Sequence, residues 1–166
     1  MPRVAWRTVV IGRSPGATLI RALLTALALL LVSQCVISPV RAYGISMQPT
    51  FEPGDWLWLS RLAYLRRPPE RGDIVAVNLP GGEAVLVKRV VGLPGERIGI
   101  IDGVVVVNGV PLDEPYVTAR RPWNVAVSQL GPQEFYVIGD NRGMPAHLHD
   151  FGGAARSRIA GRVFSR

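Results

Sequence analysis

The stretch RIGIIDGVVVVNG, residues 97–109, decides the fold class because it contains two strand-like runs and two turn signals. β-branched residues fill both runs, and Asp102-Gly103 separates them with a residue pair that favours tight hairpin turns. Asn108-Gly109 marks a second reversal directly afterwards. The stretch therefore predicts a β-hairpin.

Further runs of the same kind lie on both sides of this hairpin. They are DIVAVNL (73–79), AVLVKRVVG (84–92) and EFYVIGD (134–140). Gly and Pro recur between them, and residues 62–65 offer one helical turn at most after residue 43. The pattern predicts a mainly β domain.

An uncharged run at residues 22–40 is close to the ~20 residues that cross a bilayer. Arginines precede it, which predicts a cytoplasmic N-terminus and an exocytoplasmic location after residue 42. The alternative is a cleavable signal peptide, with Val40 and Ala42 spaced as a cleavage site. We favour an uncleaved anchor because the run is long for a signal-peptide core. The predicted organisation is a basic cytoplasmic segment at 1–17, a transmembrane helix at 18–40 and an exocytoplasmic β-rich domain at 41–166.

The formal charge of +7 is concentrated before Glu52, where the chain has no acidic residue. The basic residues of that part are Arg3, Arg7, Arg13, Arg21 and Arg41. The remainder is nearly balanced and has no helix-turn-helix or zinc pattern, which disfavours a nucleic-acid partner. Cys35 is the single cysteine, so an intrachain disulfide is excluded.

Lys88 is the single lysine among 19 basic residues, and it lies inside an apolar run. Arginine stays protonated and cannot serve as a base, whereas burial can lower the pKa of a lysine far enough for that role. The residue type therefore points to a general base. Chance use of one lysine is the alternative.

A lysine base needs a nucleophile. The serines after residue 42 are Ser46, Ser60, Ser128, Ser157 and Ser165. Ser46 has the most constrained surroundings, in GISMQPT between Gly44 and Pro49. An ordinary turn serine is the alternative interpretation.

Four ordered segments resemble the boxes of bacterial type I signal peptidases. They are SMQPT (46–50), GDIVAV (72–77), VKRVVGLPGE (87–96) and GDNR (139–142), and the resemblance extends from Gly44 to about Val163. It implies antiparallel β sheets similar to those of self-cleaving SOS repressors. It also implies a single-pass serine endopeptidase of the bacterial cytoplasmic membrane, which cleaves signal peptides from preproteins on the exocytoplasmic side. The implied partners are preproteins and the lipid bilayer, with no cofactor and no metal.

By this resemblance Ser46 is the nucleophile, Lys88 is the general base and the Ser46 backbone N–H is an oxyanion donor. Gly44 stands where many Gram-negative members have a second, side-chain donor. The family accepts small residues at positions −1 and −3 of the substrate. Candidates for lining those pockets are Ala42, Ile45, Met47, Phe51, Leu86 and Val87, with plain core packing as the alternative for each.

The last box departs from the family. With Phe151-Gly152 in register, Pro145 replaces the serine that hydrogen-bonds the lysine, while His147 and His149 replace an Asp and an Arg. Three interpretations stay open: a histidine orients Lys88, the backbone or another side chain does so, or the protein is weakened or inactive. The residues expected to support the site are Arg89, Asp140, Asn141, Arg142, His147 and His149, with Asp140 as the carboxylate for Arg89. A metal on two histidines and a Ser–His triad are weaker alternatives.

Other functions also fit parts of the sequence. A conjugative-transfer peptidase that matures a pilin would use the same dyad on fewer substrates. A catalytically silent, membrane-anchored binding domain is a second alternative, while the apolar run argues against a self-cleaving repressor. Trp56 and Trp58 share one face of a predicted strand, which indicates either a patch at the membrane interface or core packing.

Overall fold

The computed structural model describes residues 15–79 and 85–165. The chain divides into two compact units, Met1–Ile37 and Ser38–Arg166. In the first unit the helix α1 covers Pro15–Val36, and proline is well tolerated in the first turn of a helix. Residues 1–14 of the predicted cytoplasmic segment lie outside the described residues.

Helix α1 is long and apolar enough to cross a membrane. The window Gly16–Ser33 has a mean hydropathy of 2.0 and none of it is buried. At 1.5 Å per residue the 22-residue helix is about 33 Å long. The helix begins and ends earlier than the predicted range 18–40, since the chain continues from Ile37 as a strand.

The second unit is built from antiparallel strands and two 3-10 turns. The larger sheet has the order β1-β2-β11-β3-β4-β9-β10 and the smaller one β7-β6-β5-β8. Neighbouring strands from β2 to β10, and throughout the smaller sheet, pair antiparallel. The strands are β1 Ile37–Arg41, β2 Trp56–Ser60, β3 Ile74–Asn78, β4 Val85–Gly92, β5 Arg97–Ile101, β6 Val104–Val107, β7 Val110–Pro111, β8 Val125–Gln129, β9 Glu134–Ile138, β10 Gly152–Ala155 and β11 Ile159–Phe164, and the 3-10 turns are Ala146–Leu148 and Arg156–Arg158.

The predicted hairpin is confirmed. Ile101 pairs with Val104, and the two residues between them have positive φ angles, 47° at Asp102 and 78° at Gly103. Such angles define the tight turn whose twist matches paired strands. The other predicted runs form β3, β4 and β9, although Ala84 lies outside the described residues.

The strand β10 has no sequence signal, because its residues are two glycines and two alanines. It forms because β9 supplies a partner, with Gly153 opposite Tyr136. A Cβ added at Gly153 would lie 1.9 Å from a carboxylate oxygen of Glu134, so the Glu134 side chain would have to move to make room for it. Tertiary pairing, rather than β propensity, determines this strand.

Three buried clusters stabilise the unit, and one of them carries the loop that contains Ser46. In that cluster Met47 and Phe51 pack with Leu57 and Leu59 of β2. On the opposite face of β2, Trp56 is 65% exposed and Trp58 is half-buried. The tryptophans therefore share the outer face, as their spacing predicts.

Candidate active site

The loop between β1 and β2 holds Ser46 by its backbone. Ala42 and Gly54 bracket the loop, since Gly54 N–H donates to the Ala42 carbonyl at 2.9 Å. The φ of Gly44 is +81°, a conformation that favours glycine. Met47 and Phe51 are buried on either side of the turn, which leaves Ser46 half-buried at the surface.

The segment after β9 holds this loop from the other side. The Asn141 N–H donates to the Ser46 carbonyl at 3.0 Å, and its Nδ2 donates to the Ile45 carbonyl at 3.0 Å. The Thr50 hydroxyl donates to Asp140 at 2.5 Å. A Cβ added at Gly139 would lie 2.2 Å from the Ser46 carbonyl oxygen, so this approach requires glycine.

Arg89 and Asp140 form the ion pair expected from the sequence. Arg89 Nε donates to Asp140 Oδ1 at 2.8 Å, and Nη2 donates to Oδ2 at 2.6 Å. Nη1 donates to the Gly72 carbonyl at 2.9 Å, and the guanidinium stacks 3.9 Å above the Tyr116 ring. A buried, two-pronged pair of this geometry fixes β4 against the segment after β9 next to Lys88.

Arg142 is completely buried and pairs with Glu114, a residue that no sequence motif indicates. Nη1 donates to Glu114 Oε2 at 3.1 Å and Nη2 donates to Oε1, while Tyr116 OH donates to the same Oε1 at 2.9 Å. The Arg142 Nε also donates to the Gly139 carbonyl at 2.9 Å. The pair therefore supports the backbone that contacts Ser46.

Lys88 is 2% exposed on β4. Burial lowers the pKa of its amine, and the charge of Asp150 opposes this shift by raising it. Its side chain borders a cavity of about 200 Å³ that Val77, Val137 and Asp150 also line. Within residues 15–79 and 85–165 the amine forms no hydrogen bond, so apolar burial dominates its environment.

A second cavity, of about 100 Å³, contains Ser46. It is lined by five of the six predicted pocket residues, Ala42, Met47, Phe51, Leu86 and Val87, together with residues of β1. Ile45, the sixth, is 47% exposed and does not line it. Leu86 borders both cavities, the one beside Lys88 and the one that contains Ser46. Their side chains are not hydrogen-bonded to each other.

The two histidines of the altered box lie in different environments. His149 is 5% exposed, with its ring 5.1 Å from Trp123, and neither ring nitrogen has a partner among the described residues. Burial, and then the charge of Lys88, lower the His149 pKa to about 4. His147 is exposed on the 3-10 turn that follows Pro145. The charge of Lys88 therefore acts on the buried His149.

Comparison with known proteins gives one consistent result. A family model described as signal peptidase, peptidase S26, matches residues 16–166. The chain is 34% identical over 127 residues to probable signal peptidase I-2 of Synechocystis sp., covering 73% of this chain and 58% of that protein. It is 31% identical over 157 residues to signal peptidase I of Bacillus caldolyticus, covering 80% and 84%.

The solved structures include a signal peptidase I from Enterococcus faecalis V583. It aligns with a TM-score of 0.47 at 25% identity, covering 58% of this chain and 97% of that one. The first two curated relatives, from Synechocystis and Leptolyngbya laminosa, are matched over 58% and 64% of their own length. The chain thus spans roughly three-fifths of those relatives.

Proposed function

The chain belongs to the signal peptidase family, peptidase S26, and we propose that it is a membrane-anchored serine endopeptidase that removes signal peptides from exported preproteins. One observation carries this proposal: the single lysine of the chain is buried next to Val87, which lines the cavity that contains Ser46. A Ser–Lys peptidase requires a serine hydroxyl as the nucleophile and a buried lysine amine that can take its proton.

In the proposed mechanism the neutral Lys88 amine takes the Ser46 Oγ proton as the oxygen attacks the scissile carbonyl. The oxyanion then accepts a hydrogen bond from the Ser46 backbone N–H, which donates to no other group in the described chain. The Lys88 ammonium passes its proton to the leaving amine, and water hydrolyses the acyl-enzyme. Before the proton is transferred, the Ser46 hydroxyl and the Lys88 amine must approach to hydrogen-bonding distance. Catalytic hydrogen bonds are often long in enzymes without substrate.

The cavity that contains Ser46 fits the proposed specificity. It has a volume of about 100 Å³ and its walls are mainly apolar side chains, including Met47 and Val87. A small apolar side chain next to the scissile bond would pack against these walls. An extended peptide would lie between residues 40–44 and 85–87, which border the cavity.

Membrane attachment through α1 is part of the proposal. Support comes from the apolar, exposed helix and from the arginines that precede it in sequence, which favour a cytoplasmic N-terminus. The peptidase unit would then act on the exocytoplasmic side of the bacterial cytoplasmic membrane. Exposed Trp56 is suited to the lipid interface.

Cleavage of a preprotein with an Ala-x-Ala site by the detergent-solubilised chain tests the proposal. Ser46→Ala and Lys88→Ala are expected to abolish cleavage, while Ser128→Ala, at an exposed serine on β8, should leave it unchanged. Circular dichroism checks that each variant is folded. No cleavage by the folded wild type would contradict the peptidase function, and activity retained by Lys88→Ala would contradict the dyad.

A further inference from the structure

A single carboxylate lies among the described residues that line the Lys88 cavity. The cavity extends over one face of four neighbouring strands, from Val77 on β3 to Ala154 on β10, with Lys88 between them. Asp150 borders it just before β10 and is exposed. In the part of the chain that the structure describes, its carboxylate forms no ion pair and accepts no side-chain hydrogen bond.

We propose that Asp150 is the ionic partner of Lys88 and stabilises its ammonium form during proton transfer. The inference rests on the proposed function, because it assigns a task to a group beside the general base. Pro145 has no side-chain donor or acceptor, and His149 has no bond to the amine. Asp150 is then a positioning residue that acts through Lys88 and does not contact the substrate.

Other charged groups around the cavity do not take this place. Arg158 also lines it, but its Nε donates to the Asn78 carbonyl at 3.0 Å, and its charge repels an ammonium. His149 is uncharged near neutral pH because its pKa is about 4. Arg142 is paired with Glu114. The opposing effects of burial and Asp150 on the Lys88 pKa agree with this arrangement.

Asp150 has a defined role while the proton moves from Ser46 to Lys88. One proton leaves Ser46 Oγ and binds Lys88 Nζ, so a positive charge appears in a largely apolar setting. The Asp150 carboxylate stabilises this charge until the leaving amine takes the proton. A carboxylate serves a protonated histidine in the same way in Ser-His-Asp peptidases.

Replacing the carboxylate with a neutral amide, Asp150→Asn, should have two opposite effects. Without the negative charge the Lys88 pKa falls by roughly half to one unit, so the acid limb of the pH–kcat/KM profile moves to lower pH by that amount. The plateau falls about two- to threefold because a weaker base takes the Ser46 proton. The two profiles therefore cross, which a loss of structure alone does not produce.

The single lysine permits a direct test that does not depend on activity. In the full chain labelled with 13Cε-lysine and carrying a lysine-free tag, one NMR resonance reports Lys88. Its titration midpoint should fall in Asp150→Asn, stay near wild type in Asp150→Glu, and stay unchanged in Asp113→Asn, which removes an exposed carboxylate outside both cavities. In the wild type, added salt should lower the midpoint by screening the attraction.

The outcomes separate the two proposals. A titration midpoint that responds to neither Asp150→Asn nor salt overturns the pairing, even if the wild type cleaves preproteins. A midpoint that shifts in Asp150→Asn alone supports the pairing, even if cleavage is absent and the peptidase function is wrong. If Asp150→Asn does not fold, the salt dependence of the wild-type midpoint decides.

Discussion

The two sides of the site are held by different forces. The Ser46 loop is fixed by directional hydrogen bonds, including two from Asn141 and one between Gly54 and Ala42. Among the described residues the Lys88 amine has no such bond, and its pKa depends on burial and on the charge of Asp150. The proposed nucleophile, Ser46, is therefore positioned by hydrogen bonds, while the proposed base, Lys88, is controlled by its electrostatic environment.

This difference predicts which changes affect each side. Removing a hydrogen bond near Ser46 should alter geometry and lower the rate at every pH. Changing a charge or the burial near Lys88 should instead displace the pH dependence.

Arg142→Ala should have the largest effect. It removes the buried partner of Glu114 and the bond to the Gly139 carbonyl, at a cost of roughly 3–5 kcal/mol in the free energy of unfolding. The Glu114 carboxylate then keeps only the Tyr116 hydroxyl and a longer ion pair to Arg120, at 3.9 Å. Urea denaturation in detergent measures the change. Arg97→Ala, at an exposed arginine on β5, is the control and should stay within about 0.5 kcal/mol of wild type. Equal losses in both variants would contradict a supporting role for the buried pair.

Acid should lower the free energy of unfolding of the protein through His149, which the charge of Lys88 affects. The folded-state His149 pKa of about 4 lies below the ordinary 6.5, so between these values the unfolded chain binds more protons. Stability is therefore fully present above pH 6.5 and declines as the pH falls toward 4, by up to about 3 kcal/mol. His149→Phe keeps an aromatic ring against Trp123 and should flatten this decline. His147→Phe, at the exposed histidine, should not. An unchanged decline in His149→Phe would contradict the assignment.

Gly139→Ala should affect both sides at once. The added Cβ would lie 2.2 Å from the Ser46 carbonyl oxygen and 2.7 Å from His149 Cε1. Relieving these clashes costs roughly 1–3 kcal/mol and moves the Ser46 loop, so the rate of preprotein cleavage should fall strongly. Gly131→Ala is the matched control, because its Cβ would make ordinary contacts at 3.6 Å or more. Full activity in Gly139→Ala would show that the approach to Ser46 is not required.

The sequence predicted the parts of the fold that depend on local residue type. Runs of β-branched residues gave β3, β4, β5, β6 and β9, and the Asp102-Gly103 pair gave the hairpin turn. Strand β10 was missed because its glycines and alanines form a strand only through pairing with β9. Strand β11 was missed because Ala160, Gly161 and Arg162 interrupt its apolar residues, and it is fixed by pairing with β2 and β3. Such pairing has no signature in a local window.

The residues of the candidate site also fall into those that the sequence indicates and those that only the folded structure indicates. Ser46 and Lys88 could be singled out by residue type and by the family boxes. Glu114 and Asp150 could not, since their importance depends on burial against Arg142 and on a cavity that several strands form. The sequence also could not choose between the two histidines, because a 3-10 turn leaves His147 exposed while His149 is buried. The altered box did indicate that the residues around Lys88 differ from those of the family.

Asn141→Ala sharpens the comparison with the smallest expected change in stability. It removes the bond from Nδ2 to the Ile45 carbonyl and keeps the backbone bond to Ser46, so it should cost about 1 kcal/mol. Because this bond orients the Ser46 loop, kcat for preprotein cleavage should fall several-fold while the pH of the acid limb stays fixed. Asn124→Ala removes a similar bond, from the Asp102 N–H at 3.1 Å in a distant turn. It should lose comparable stability with unchanged kcat. A shifted acid limb in Asn141→Ala would instead mean that hydrogen bonds around Ser46 also set the charge state of Lys88.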